Sequence, residues 1–281
     1  MNIYAFADEA SPALAGQIAA MQRNGLSGLE IRGVDGRNVA DLSPEKAAEV
    51  REKLDDAGLV TWSIGSPIGK ISIDEPFRPH LDKLRRVLDT AAILGAENVR
   101  IFSFYLPKGG EPAAYRQKVL DQLGQMLDAA EGTGVTLCHE NEKGIYGDTA
   151  LRCLDLHRQL SRLRGVLDPA NYIQCGVDPW EAWTMLAPFI RYLHIKDALA
   201  DGNVVPAGHG IGNVPKIVQA YRARGGVHLT IEPHLTVFDG LSGLEQGGCT
   251  SKVGAFVYPT PDAAFDAACD ACKEILNEGE L

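Results

Sequence analysis

The sequence predicts a (β/α)8 barrel. Three observations carry this expectation. Short β-rich runs alternate with longer helical patterns eight times along the chain. Most of these runs are near-continuously apolar, as strands of a parallel sheet are when both faces are covered. The chain has 281 residues, a little more than one such barrel uses, and no Pro/Ser-rich linker, low-complexity tract or repeat divides it. An open doubly wound sheet is the other arrangement with the same alternation.

The strand candidates are residues 3–7, 28–32, 60–64, 98–102, 135–140, 165–168, 192–195 and 229–232. Amphipathic helices are expected between them. Ser43 and Pro44 open one as N-cap and first helical residue, with Ala47, Val50, Leu54 and Ala57 on its buried side. Residues 80–94, 113–130 and 262–277 read as longer helices. Gly58, Gly95, Gly134 and Gly225 each follow a helix and precede a strand, where the chain often needs a positive φ. The whole of 1–281 is read as one barrel domain with a long irregular segment, 235–261, after the last strand. That segment holds Gly240, Gly243, Gly247, Gly248 and Gly254 beside Phe238, Phe256 and Tyr258. It is expected to bury these aromatics over the barrel mouth or in a subunit contact.

Composition narrows the function. The net charge of -10 disfavours nucleic acid and anionic membranes, whose binding depends on Lys and Arg releasing counterions. No apolar run reaches the roughly 18 residues of a membrane span. No basic segment followed by an apolar one opens the chain, so a cytoplasmic protein without a secretory signal is expected. A homo-oligomer is left open. The six cysteines include Cys269 and Cys272, spaced C-x-x-C on a predicted helix. Without a second pair or a βα turn, this spacing simply puts two thiols on one helix face.

The chemistry gathers at strand ends. Glu140 closes the fifth strand candidate, Asp168 the sixth and Glu232 the eighth, while His194 lies late in the seventh. In a parallel barrel these ends meet at the face that carries active sites. Three carboxylates brought together repel one another, and a divalent cation with a neutral imidazole as fourth ligand resolves this. Three oxygens and one nitrogen favour Mn²⁺ or Mg²⁺ and admit Co²⁺ or Zn²⁺. A lone strand-end carboxylate is more often a helix cap or salt-bridge partner; four such groups on successive strands point to a metal.

These residues carry a resemblance. Glu140-Asn141, Asp168-Pro169-Ala170-Asn171, His194-Ile195-Lys196-Asp197, Pro206-Ala207-Gly208-His209-Gly210 and Ile231-Glu232-Pro233-His234 resemble the xylose isomerase-like TIM-barrel superfamily of sugar phosphate isomerases and epimerases. The superfamily also includes endonuclease IV-type repair enzymes. The resemblance implies that Glu140, Asp168, His194 and Glu232 are metal ligands. It also implies that Glu140 and Glu232 act as an acid/base pair. Two departures stand out. Many members carry His where Asn171 lies, and ketose 3-epimerases place an Arg where Lys196 and Asp197 lie. The repair enzymes need further His ligands on the third and fourth strands, where this chain has Trp62, Ser63, Arg100 and Ser103.

A metal between two glutamates suits proton abstraction α to a carbonyl. The leading expectation is a metal-dependent isomerase or epimerase of a small sugar or polyol. The alternatives are a dehydratase or other lyase acting on a keto-inositol or keto-glycoside, and a non-catalytic binding barrel. His234 and Lys196 lie two residues beyond Glu232 and His194, so strand alternation points them to the same mouth. Either could meet substrate, or Lys196 could pair with Asp197 or Glu232. His209, Asn171, Trp62 and Lys70 are further substrate-binding candidates. Trp180 and Trp183 read as core.

Overall fold

The computed structural model describes residues 1–238 and 252–278. Eight parallel strands close a barrel. They are β1 (Asn2–Ala5), β2 (Gly28–Ile31), β3 (Val60–Ile64), β4 (Asn98–Ile101), β5 (Thr136–Glu140), β6 (Arg164–Leu167), β7 (Ile190–Ile195) and β8 (His228–Ile231). Each pairs with the next, and β8 returns to β1. Several strands stop short of the end of the apolar pattern, so Arg32, Asp168 and Glu232 stand just past the last strand residue. Their polar side chains are thereby free to turn into the mouth.

The helices form the outer ring: α1 (Leu14–Arg23), α2 (Pro44–Asp56), α3 (Phe77–Leu94), α4 (Pro112–Ala130), α5 (Ala150–Gln159), α6 (Pro169–Gln174), α7 (Pro179–Leu186), α8 (Val214–Ala223) and α9 (Pro261–Glu278). Local chemistry sets their ends. The Ser43 hydroxyl accepts the Lys46 N–H and Pro44 opens α2, as the sequence predicts. Gly95 ends α3 in the left-handed region at φ 70, where a side chain would be strained. Leu84, Val87, Ala91 and Leu94 of α3 and Leu123 and Met126 of α4 are almost fully buried in the shell between helices and strands. Each such leucine contributes roughly 1.5–3 kcal/mol over an exposed one. Among the described residues no helix is long and apolar enough to cross a membrane.

Two bulges shape the interior. Leu29 pairs with Thr61 but Glu30 pairs with Ser63, so Trp62 is an extra residue in β3. Gly165 pairs with Ile190 but Val166 with Tyr192, so Arg191 is extra in β7. A bulge re-aims the side chains around it. Here Trp62 stacks on His228 at 3.8 Å and on Tyr4 at 5.1 Å, two rings that also lie 5.8 Å from each other. It joins Cys138, Val166 and Tyr192 in a packed layer inside the barrel. Trp62 therefore fills the lower interior and does not line the mouth, contrary to the sequence expectation.

Cys269 and Cys272 are buried, free thiols on α9, in keeping with a packing role. The irregular segment is described at residues 235–238 and 252–261; Gly240, Gly243, Gly247 and Gly248 lie outside the described residues. Phe238 is buried and Tyr258 is partly buried against the core. Phe256, expected to be buried, remains 41% exposed, because its main aromatic neighbour is the exposed His209 ring at 5.9 Å.

Candidate metal centre

Glu140, Asp168, His194 and Glu232 converge. One ligating atom from each lies within 4.8 Å of the others, and all four residues are buried. The imidazole is the hub. His194 Nδ1 lies 3.1 Å from Glu232 Oε2, 3.2 Å from Glu140 Oε1 and 3.9 Å from Asp168 Oδ2. Its other nitrogen, Nε2, faces Glu30 Oε2 at 3.1 Å. Glu30 is fully buried and also accepts the Tyr192 hydroxyl at 2.9 Å. A carboxylate on the far side of a ligating histidine fixes the ring and raises its basicity.

Asp168 divides its oxygens between two tasks. Oδ1 accepts the Asn171 N–H and caps α6, while Oδ2 faces the cluster. Asn141 locks the neighbouring strand ends together, donating to the Asp168 carbonyl and accepting its N–H, both at 2.9 Å. Asn171 donates to Glu140 Oε1 at 3.1 Å and to the Asn141 carbonyl at 3.0 Å. The helix-cap and cluster readings of Asp168 are thus both realised, on different atoms.

Cations surround the carboxylates. Lys196 Nζ lies 2.8 Å from Asp168 Oδ2 and 3.1 Å from Glu232 Oε2. Arg100 reaches Glu140 Oε2 at 3.2 Å. Arg32 is held by Asp8 and Glu9 and approaches Glu232 Oε1 at 3.7 Å. Burial opposes ionisation of Glu232, but Lys196, His234 and His194 hold it well below the usual carboxylate range. Asp168 is pushed up to about 7 by burial, with Glu232 and Glu140 adding to the effect and Lys196 opposing it. Burial likewise disfavours a charged His194, yet Glu140 and Glu30 hold it well above the ordinary imidazole value. Asp168 and His194 therefore hold protons tightly beside an ionised Glu232, and a divalent cation would take the place of those protons.

The donors fit such a cation. Glu140 Oε2, Asp168 Oδ2 and Glu232 Oε2 are buried and make no hydrogen bond of good geometry, despite their ion pairs. Buried oxygens in this condition are costly unless something else binds them. A second group, Glu9, Glu232 and His234, is equally close-set; it shares Glu232 with the first, and the Arg32 guanidinium lies 3.0 Å from Glu9.

The sequence matches the xylose isomerase-like TIM barrel model over residues 18–246. The chain belongs to that family. Solved structures share its fold across nearly the whole length. The probable 3-DHS dehydratase AsbF of Bacillus anthracis aligns at 17% identity and TM-score 0.74, covering 97% of this chain and 99% of that one. A D-tagatose 3-epimerase-like protein aligns at 15% identity and TM-score 0.75, covering 100% and 98%. The IOLI protein, solved with a zinc atom, aligns at 14% identity and TM-score 0.75, covering 99% of each chain. No curated protein matches the sequence.

Within this xylose isomerase-like barrel the other candidates separate. His234 stands at the mouth in the left-handed region, φ 44, with its N–H on Glu9 Oε2 at 2.6 Å and its ring 3.4 Å from Glu232 Oε1. Phe238 covers it edge-on at 5.5 Å. Lys70 is paired with Glu142 at 3.1 Å and lies 4.4 Å over the Phe102 ring, which the Arg100 guanidinium also faces. His209 is exposed on a loop at the rim. Asp197 ties down that loop, accepting N–H groups from Ala198, Gly208, Gly210 and Gly212. A Cβ on Gly210 or Gly212 would meet Asp197 Oδ1 at 2.3 or 2.5 Å, so glycine is required there. Asp197 thus anchors a loop rather than pairing with Lys196.

Sequence reasoning passed over Glu30, Arg32 and the Asp8–Glu9 pair, quoted Asn141 only within a family motif, and noted Arg100 only as the lack of a histidine ligand. The available signal was charge inside apolar strands, as in Gly28-Leu29-Glu30-Ile31-Arg32. A buried charge without a partner is costly, so each of these positions required one.

Proposed function

We propose that this chain is a divalent-metal-dependent isomerase or epimerase that removes a proton α to the carbonyl of a sugar or related polyol. The placement of Glu140 and Glu232 carries this reading. They reach the same His194 nitrogen from β5 on one side and β8 on the other. A divalent cation held by Glu140, Asp168, His194 and Glu232 would supply a Lewis acid to the substrate oxygens, with Mn²⁺ or Mg²⁺ favoured and Co²⁺ or Zn²⁺ admissible.

The remaining steps fall to the chain. One glutamate carboxylate accepts the α proton, and the C–H electron pair moves into an enediolate. Glu232, held ionised, suits the accepting role, and Glu140, entering the cycle protonated, gives its proton back. Delivery to the opposite face of the same carbon completes an epimerisation, and delivery to the neighbouring carbon completes an aldose–ketose isomerisation. Arg100 beside Glu140, and Arg32 and His234 beside Glu232, hold the two carboxylates in place. His234 and Lys70 would meet substrate hydroxyls at the mouth, and Phe238, edge-on to His234, would limit the entry of water there.

A second reading is favoured by Lys196. An ammonium beside Asp168 and Glu232 can donate a proton to a departing β-hydroxyl, which would make the product a dehydrated one. Incubation with Mn²⁺ in D₂O and a panel of ketoses, keto-inositols and keto-glycosides divides the cases. Deuterium incorporation with an unchanged formula supports the isomerase or epimerase. Loss of water or of an aglycone supports a lyase. No exchange with any member would leave a binding barrel and defeat the proposal.

A further inference from the structure

Lys196 uses the same oxygens that the metal reading assigns to the cation. Its Nζ lies 2.8 Å from Asp168 Oδ2 and 3.1 Å from Glu232 Oε2, the two atoms that face His194 Nδ1. The residue is buried, and burial disfavours its charge, but Asp168 and Glu232 hold its pKa above the usual lysine value. An ammonium in direct contact with these oxygens and a divalent ion bound to them exclude one another, since two cations would share one small, buried seat. Lysine can yield. Its charge sits at the end of a stem with four rotatable bonds, unlike a guanidinium fork fixed by several bonds.

The destination is also on the structure. Beyond Asp168, Glu232 and Glu140, the three carboxylates the metal reading assigns to the cation, Glu142 is the carboxylate whose field acts on Lys196. It is pulled down to about 2, against burial, by Lys70, Lys143 and Lys196. Lys70 already lies 3.1 Å from it. Glu142 lies two residues past the end of β5, on the mouth side of the cluster, and is the carboxylate left to receive a lysine leaving Asp168 and Glu232.

We infer that Lys196 and the metal compete for Asp168 and Glu232, and that metal binding delivers the Lys196 ammonium to the mouth beside Glu142 and Lys70. There it faces the substrate and suits a developing oxyanion or an anionic substituent. The inference rests on the metal reading above, so the test separates the two. The protein is treated with a limiting amine-acetylating reagent, with EDTA or with saturating Mn²⁺, and each lysine is quantified by peptide mass spectrometry. Mn²⁺ binding is measured separately by equilibrium dialysis. Exposed Lys108 is the internal reference.

Lys196 should label slowly in EDTA and at least about tenfold faster with Mn²⁺, while Lys108 stays constant. Mn²⁺ binding with Lys196 labelling unchanged or reduced would overturn the exchange and leave the metal site standing. Failure to bind Mn²⁺ at all would overturn both. As a second measurement, Lys196→Met removes the competitor and should tighten Mn²⁺ binding about tenfold or more. Weaker binding in that variant would show that the lysine supports the metal rather than competing with it.

Discussion

Replacing Glu30 by Gln tests how far the centre depends on a residue that touches no other carboxylate of the cluster. Glu30 Oε2 faces His194 Nε2 at 3.1 Å, and Oε1 accepts the Tyr192 hydroxyl at 2.9 Å. Ser63 Oγ lies at 3.4 Å. Glutamine has the same shape. With its oxygen toward His194, its amide meets the Tyr192 and Ser63 hydroxyls, which can turn and accept. The barrel should therefore keep its fold. What disappears is the negative charge behind the imidazole. A charge-assisted hydrogen bond is roughly twice as strong as a neutral one. Loss of such a partner typically weakens metal binding about 10–100-fold, which is about 1.4–2.7 kcal/mol. Mn²⁺ titration by calorimetry should show a Kd raised by that factor, with the circular dichroism spectrum unchanged. A Kd within about twofold of the parent would refute the reasoning, because His194 would then not need its partner to bind a cation.

Four further outcomes are expected. Glu140→Gln and Glu232→Gln, refilled with Mn²⁺, should lose about 10²–10⁴-fold in solvent deuterium exchange. Asp168→Asn should lose activity only in proportion to metal lost; parent-rate exchange in the glutamate variants would place the proton carrier elsewhere. Asp197→Ala removes the acceptor of four backbone amides in a partly exposed loop and should cost about 2–4 kcal/mol in urea unfolding; a loss under about 0.5 kcal/mol would mean the loop is held otherwise. Trp62→Ala should cost about 3–5 kcal/mol through the cavity it opens, whereas Trp62→Phe should leave KM unchanged, and a large KM change would return Trp62 to the substrate. His157 is held down to about 4 by burial, below the ordinary imidazole value of about 6.5. The unfolded chain therefore binds the extra proton first as pH falls, so stability is full above about 6.5 and declines toward 4, by on the order of 3 kcal/mol. His157→Gln should flatten denaturation midpoints across that window; an unaltered pH profile would exclude His157 as the cause.

The sequence alone determined the parts whose causes are local or follow from the fold class. Apolar runs set the strands, Ser43 and Pro44 set a helix start, and a parallel barrel puts strand ends on one face. From these alone, Glu140, Asp168, His194 and Glu232 fall at one face of the barrel. The tertiary structure decided which charges answer one another. Glu30 and His194 are 164 residues apart, and no local pattern announces their contact. A bulge of one residue sent Trp62 down into the packed interior, where alternation alone left it open. Lys196 pairs with Glu232, one of the two partners its spacing offered, whereas His234 stands past the end of β8 in the left-handed region, where strand alternation no longer applies. His209 sits in a loop whose path depends on Asp197 gathering backbone amides, a matter of three-dimensional closure. Periodicity records which face a residue takes on its own element. It does not record the pairing of buried charges across strands, and in this protein that pairing forms the site.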